Sequence, residues 1–184
     1  MVIFIAQVLL AASTAYAGKK DDTCRKMIPK SLQEILKQKF PAYRLPLVSD
    51  NDTYNIQYNL KHGGNGCIGV ALGDFDNDHT EDIALLITSI KDDHNLLVVG
   101  TRRGKSWKVD VLRDWGGARK NLYVEAIKPG KYTRTEALEG PVSEPGEVEE
   151  FTSTSDGIVS GGVESSGCAY FLKGADWIHV WISD

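Results

Sequence analysis

The stretch from Gly73 to Ala84, with the sequence GDFDNDHTEDIA, most constrains how this chain can fold. It places four aspartates within nine residues. Their mutual repulsion opposes a tight turn unless a cation lies among them, and calcium accepts six to eight oxygen ligands in irregular geometry. We therefore predict a loop that binds one structural Ca²⁺. The ligands that this spacing predicts are Asp74, Asp76, Asp78, the backbone carbonyl of Thr80, and Asp82.

The residues on either side of the loop predict strands. In a helix-loop-helix calcium motif, position 12 carries a bidentate glutamate. Here that position is Leu85, inside the short, partly β-branched apolar run 83–88, which is typical of a buried strand. A second apolar run, 67–72, precedes the loop. Asn77 and His79 are side-chain types that tolerate positive φ, so they suit the sharp turns that glycine would otherwise make.

The motif Gly-Asp-Phe-Asp-Asn-Asp-x-x-x-Asp-Ile-Ala resembles the repeat motif of FG-GAP and VCBS proteins, the calcium-binding hairpins of integrin-type β-propellers. The resemblance covers residues 67–88 and implies a calcium-stabilised hairpin. It does not imply a propeller, because the aspartate pattern occurs once and a repeat architecture needs several copies. An acidic, solvated turn without an ion is the alternative interpretation.

Residues 1–17 have the pattern of a secretory signal peptide. Residues 2–12 are an apolar core interrupted by Gln7, and Ala15-Tyr16-Ala17 is a small-x-small cleavage site. A membrane anchor needs about 20 apolar residues, which this run does not reach. We expect residues 18–184 to form a single globular domain that is exported to the periplasm or the extracellular space, with no membrane span after cleavage.

The chain has three cysteines, and an oxidising compartment favours pairing two of them. Cys67 and Cys168 each begin an apolar strand, whereas Cys24 lies in a charged segment before the predicted helix. We therefore favour a Cys67–Cys168 disulfide. The alternative is Cys24–Cys67.

The remaining pattern predicts a mainly antiparallel β (α+β) fold with one or two short helices. Ser31 and Glu34 have the spacing of a capping box, which predicts a helix that ends before Pro41. Residues 53–61 fit either a strand or a helix that is capped by Asp52. Alternation and turn residues predict further strands at 96–101, 107–112, 122–127, 151–154, 158–164, 168–172 and 177–182.

Two features of the second half predict surfaces. Residues 102–134 carry ten Lys or Arg against three acids, and residues 136–150 carry six glutamates and no base. We expect these blocks to face each other or solvent, with an electrostatic partner surface as the alternative. In the last strand, Trp177, His179 and Trp181 share one face, which is either a second packed layer or a ligand platform.

The sequence contains no motif that identifies an enzyme: a Gly-x-Ser-x-Gly elbow, a P-loop and zinc-ligand spacing are all absent. The net charge of −4 and the predicted export argue against a nucleic-acid partner. We predict a non-enzymatic binding module, for instance an inhibitor or immunity-type protein, whose partner is an envelope or extracellular protein or a glycan. The alternative is a secreted hydrolase that uses carboxylates outside the calcium loop, which would need carboxyl groups of raised pKa in a pocket.

Overall fold

The computed structural model describes residues 22–117 and 120–183, so the predicted signal peptide lies outside the described residues. The chain forms one small, mainly antiparallel β domain, as the sequence predicts, but the described residues contain three α-helices and not one or two. The helices are α1 (Thr23–Met27), α2 (Lys30–Lys39) and α3 (Thr53–Lys61), with a 3₁₀ turn at Val48–Asp50. The strands are β1 (Tyr43–Arg44), β2 (Val70–Gly73), β3 (Asp82–Ser89), β4 (Asn95–Arg103), β5 (Ser106–Gly116), β6 (Leu122–Ile127), β7 (Gly130–Thr133), β8 (Glu150–Ser153), β9 (Gly157–Gly162), β10 (Gly167–Lys173) and β11 (Asp176–Ser183).

The strands form two main sheets and one separate hairpin. In the first sheet β4 lies between β3 and β5, and both β1 and β2 pair with the other edge of β3. The second sheet has the order β11-β10-β9-β6. Within the described part of the chain, strands β7 and β8 pair only with each other. Each strand that the sequence predicts has a counterpart here, whereas β1 and β7 were not predicted.

Strand β3 shows why the sheets stack as layers. Ile83, Leu85 and Ile87 point to one side, where they pack with residues of α1 and α2. Ala84 and Leu86 point to the other side, into a core shared with the second sheet. A strand that is buried on both faces reads as a continuous apolar run, which is the pattern in the sequence. The outer face of the second sheet packs in turn against the β7–β8 hairpin.

The predicted helix before Pro41 is present as α2, and residues 53–61 follow the helix alternative, but the predicted capping box is not formed. Residues 53–61 are helical. The Asp52 carboxylate caps the start of the helix by accepting a hydrogen bond from the Asn55 amide at 2.8 Å. Gly63, just after the end of the helix, has a φ of 87°. The capping box at Ser31 is wrong. Helix α2 begins at Lys30 after Pro29, two residues earlier than an N-cap at Ser31 implies, and the Ser31 hydroxyl instead accepts a hydrogen bond from Trp107 Nε1 at 3.0 Å.

The favoured disulfide is also wrong, because the bond joins Cys24 to Cys67 with their Cα atoms 5.2 Å apart. Both cysteines lie in the core between the helices and the first sheet. Cys168 is free and buried in the core between the two sheets. The first sheet therefore separates Cys168 from Cys67. Helix α1 places Cys24 on the same side of the sheet as Cys67, where the two can bond.

Candidate functional site

The aspartate loop connects β2 to β3 and is anchored in the core. Phe75 is fully buried between the two sheets. A Cβ on Gly73 would lie 2.6 Å from the Phe75 ring, so only glycine fits at that position. The loop also contacts the β8–β9 turn, since the Asp156 amide donates to the Asp74 carbonyl at 3.2 Å. Any ion that stabilises this loop therefore also stabilises the packing of one sheet on the other.

Three of the predicted ligands converge in the loop. Asp74, Asp76 and Asp78 each present one carboxylate oxygen, and these oxygens lie within 4.8 Å of one another. Asn77 and His79 have positive φ values of 61° and 65°, as the sequence predicts. Those two residues turn the backbone so that alternate aspartate side chains point inward. The arrangement could hold a metal ion.

Backbone amides already bind part of this carboxylate cluster. The Asp74 carboxylate accepts hydrogen bonds from the amides of Asp78 and His79, each at 3.0 Å. The Asp78 carboxylate accepts from the Thr80 amide at 2.9 Å and also from the Thr80 hydroxyl. These bonds to Thr80 are the main cause that lowers the pKa of Asp78. The hydrogen bonds to Thr80 therefore favour the ionised form of Asp78.

Arg103, at the end of β4, supplies a positive charge that the sequence analysis did not foresee. One of its guanidinium nitrogens forms an ion pair with the nearly buried Asp76 carboxylate and lies 3.6 Å from Asp78. Strand register explains this placement: Ile83, next to the start of β3, pairs with Gly100, so the last residues of β4 extend past that pair toward the aspartate loop. Predicting the β3–β4 hairpin from the sequence and continuing its strand pairing toward the loop would have identified Arg103.

Asp82 lies next to the cluster, but its oxygens bind elsewhere. Its side chain is fully buried and accepts hydrogen bonds from the amides of Phe75 at 3.0 Å and Arg102 at 2.7 Å. Burial is the main cause that raises the pKa of Asp82 to about 6, and the charges of Asp76 and Asp78 raise it further. The structure thus assembles three of the four predicted carboxylates and holds the fourth beside them.

The two charge blocks face each other. Arg113 forms an ion pair with Glu144 at 2.7 Å, and Arg134 forms one with Glu147 at 2.9 Å. The second pair is buried, and the Glu147 carboxylate also accepts hydrogen bonds from the amides of Ser143 and Glu144. The acidic segment is therefore joined to part of the basic block, through Arg113 and Arg134, as the favoured interpretation of the charge pattern expects.

The aromatic face of β11 is a packed layer. Trp177 and Trp181 pack against the core between the two sheets. The Arg113 guanidinium lies 4.5 Å from the centre of the Trp181 ring and 5.1 Å from that of Trp115. The opposite face of the strand, with Ile178 and Val180, packs in the core beneath the β7–β8 hairpin. Arg113 thus packs over Trp181, whereas Trp177 and His179 line a surface cleft.

Comparisons of the chain with protein-family models, with curated proteins and with solved structures found no match. The resemblance to FG-GAP and VCBS hairpins thus rests on the motif at 73–84. Among residues 22–117 and 120–183, no helix has the length and apolar character needed to cross a membrane.

Proposed function

We propose that this protein is an exported binding module whose β domain is stabilised by one Ca²⁺ in the aspartate loop. The observation that carries the proposal is the convergence of Asp74, Asp76 and Asp78 on one point at the edge of the first sheet. Calcium suits this site because it accepts carboxylate and carbonyl oxygens in flexible geometry. The ion has a structural role here, since the loop holds Phe75 in the core between the sheets.

The residues in and around the loop have different roles in this proposal. The three clustered carboxylates bind the ion, and the Thr80 carbonyl is the predicted backbone ligand. Arg103 must withdraw from Asp76 when the ion binds. Asp82 becomes a direct ligand only if it exchanges its hydrogen bonds with the Phe75 and Arg102 amides. Otherwise it acts as a nearby negative charge that increases the attraction for a cation.

One further observation supports export, and a physical argument supports binding. A disulfide between Cys24 and Cys67 fits an oxidising compartment, such as the periplasm or the extracellular space. A small β domain held by a disulfide and an ion offers a rigid surface to an extracellular protein or glycan. Rigid surfaces bind with less loss of conformational entropy, which favours a recognition role.

The hydrolase alternative has less support from the carboxylates outside the loop. The pKa of Glu144 is lowered, first of all by its hydrogen bonds to Arg113. Burial raises the pKa of Glu147, but hydrogen bonds from Ser143, Glu144 and Arg134 outweigh that effect and lower it. A carboxylic acid that protonates a leaving group needs a raised pKa. Both groups are therefore suited to ion pairing and not to general acid catalysis.

Thermal unfolding with calcium and with chelator tests the proposal. Exported calcium modules bind at about 10⁻⁴ to 10⁻³ M. Calcium at about 100 times its dissociation constant adds about 2.7 kcal/mol to the free energy of unfolding. Asp76→Asn should abolish this gain, whereas Asp93→Asn, which removes the same charge from the exposed β3–β4 turn, should keep it. Magnesium should substitute poorly because it demands a tight octahedron. Identical melting curves in chelator and in calcium would refute the calcium site.

A further inference from the structure

A cleft of about 550 Å³ lies between α3, strand β6 of the second sheet and the turn from β9 to β10. Its volume falls within the range of ligand pockets, about 300 to 1,000 Å³. The helix contributes Tyr58 and His62, the strand contributes Tyr123 and Glu125, and the turn contributes Glu164. Tyr58 is 57% exposed, so a partner in solution can reach the wall that this ring forms.

Two tyrosine rings at the cleft are held by their local packing. The ring of Tyr58 lies against that of His62, with their centres 4.1 Å apart and their planes tilted by 30°. On the sheet, Tyr123 pairs with Gly161, and Gly161 pairs with Gly167 on the next strand. These glycines leave room for the ring, since the Tyr123 hydroxyl lies only 3.2 Å from where a Cβ on Gly167 would be. The face of a fixed tyrosine ring attracts cations.

The cleft also carries unpaired negative charge. Its described lining contains Glu125 and Glu164 and no Lys or Arg. Both glutamates are exposed, and neither has an ion-pair partner among residues 22–117 and 120–183. Burial raises the pKa of Tyr123, and the nearby charge of Glu125 raises it further. By contrast, Glu144 and Glu147 of the acidic segment each pair with an arginine. Two unpaired carboxylates beside two tyrosine rings favour a cationic ligand.

The aromatic surface continues along α3 beyond the cleft. Tyr54 lies four residues before Tyr58 and is 67% exposed. Side chains four residues apart are neighbours on a helix surface. Tyr54 is not part of the cleft lining, so a small cation in the cleft would leave this ring uncovered. A polypeptide would cover both rings, and tyrosine and arginine are enriched among the residues that dominate binding at protein interfaces.

From this arrangement we propose that the cleft receives an arginine side chain from a basic segment of a protein partner. A guanidinium group is planar and always charged, stacks on aromatic rings and pairs with carboxylates. It can therefore stack on Tyr58 while it donates hydrogen bonds to Glu125 or Glu164. This inference rests on the proposed binding function and names the chemistry of the partner. No described residue of the aspartate loop lines the cleft, so either proposal can fail without the other.

Nuclear magnetic resonance of backbone amides provides the test, because Gly63, Gly64 and Gly162 line the cleft. The ¹⁵N-labelled protein is titrated with the blocked tripeptide Gly-Arg-Gly, whose arginine should shift these three signals in a saturable manner. The signals of Gly104 in the β4–β5 turn and Gly174 in the β10–β11 turn should stay in place. The same peptide with citrulline, which has the shape of arginine without the charge, should bind much more weakly. High salt should weaken the arginine peptide, since it screens exposed charges.

Two variants show whether the cleft side chains act as proposed. Glu164→Gln should weaken binding of the arginine peptide by about threefold, the value of one exposed ion pair. Tyr58→Leu should weaken it by about as much, because it keeps an apolar side chain but removes the aromatic face. Glu139→Gln is the matched control and should leave binding unchanged. It removes the same charge from the exposed acidic segment, which joins β11 at the opposite edge of the second sheet.

Four outcomes would show that the proposal is wrong. The arginine peptide may fail to shift the cleft glycines, the citrulline peptide may bind equally well, or both variants may bind as the wild type does. Agmatine, a small guanidinium compound without a peptide backbone, is the fourth probe. If it binds as tightly as the tripeptide, the ligand is a small cation and not a polypeptide. Titrations in calcium and in chelator separate these results from the fate of the calcium site.

Discussion

Raising the pH should destabilise the calcium-free protein through Asp82. The folded-state pKa of this buried carboxyl is about 6, against an ordinary value of 3.8. The folded state therefore binds the proton more tightly than the unfolded state does. The stabilising contribution of the protonated group is fully present below the ordinary value and is lost as the pH rises through about 6.

The size of the effect follows from the pKa difference. From 3.8 to about 6 is roughly two pKa units, and each unit corresponds to about 1.36 kcal/mol. Ionising Asp82 should thus cost the calcium-free fold about 3 kcal/mol at neutral pH. A calcium ion beside Asp76 and Asp78 should lower the pKa of Asp82 and remove most of this cost.

Chemical denaturation of the wild type and of Asp82→Asn, between about pH 4 and pH 7, measures this cost. Comparing the two proteins cancels the titration of groups that do not interact with Asp82. The free energy of unfolding of the variant, relative to the wild type, should rise by about 2 kcal/mol across this range in chelator, because part of the full effect is already lost at pH 4. In calcium the rise should be much smaller. Asp93→Asn, the control in an exposed turn, should show no such trend. A difference between Asp82→Asn and wild type that does not change with pH would refute the reasoning.

Three further changes test other parts of the fold. Arg103→Gln should tighten calcium binding by up to about fivefold in a calorimetric titration, because the guanidinium competes for the same carboxylates. Cys24→Ser should lower the free energy of unfolding by about 4 kcal/mol, the chain-entropy value for a bond that spans 43 residues, and should leave Cys67 open to alkylation. Glu147→Ala breaks a buried ion pair and should cost about 3–5 kcal/mol in chemical denaturation, whereas Glu150→Ala removes an exposed partner of Lys131 and should cost at most about 1 kcal/mol.

The strands and their faces could be predicted because alternation is a local property of the sequence. Periodicity states which residues share a face, but not which layer covers that face. Cys67 and Cys168 illustrate the limit, since both begin apolar strands and yet lie on opposite sides of the first sheet. The Ser31 capping box failed for a similar reason. Its hydroxyl bonds to Trp107, a contact between residues 76 positions apart that no local pattern contains.

The sequence could predict the part of the site whose ligands are close together in the chain. The aspartate spacing placed three carboxylates in one turn, and the residue types at 77 and 79 indicated the positive φ values. Two features depend on packing and could not be read in this way. One is that the Asp82 carboxylate accepts hydrogen bonds from the Phe75 and Arg102 amides and does not join the cluster. The other is the hydrogen-bond network that joins Arg113, Glu144 and His179.

Arg103 changes what calcium binding to this loop can be expected to contribute. An aspartate cluster with no cation would strongly oppose folding in chelator, and calcium would then be essential. Here Arg103 already lies against Asp76 and Asp78, although its own side chain is 46% exposed. Ion pairs of that exposure contribute about 1 kcal/mol or less, so displacing Arg103 weakens calcium binding by no more than about fivefold. The loop should therefore keep its shape in calcium-free solution and gain rigidity when the ion replaces the arginine.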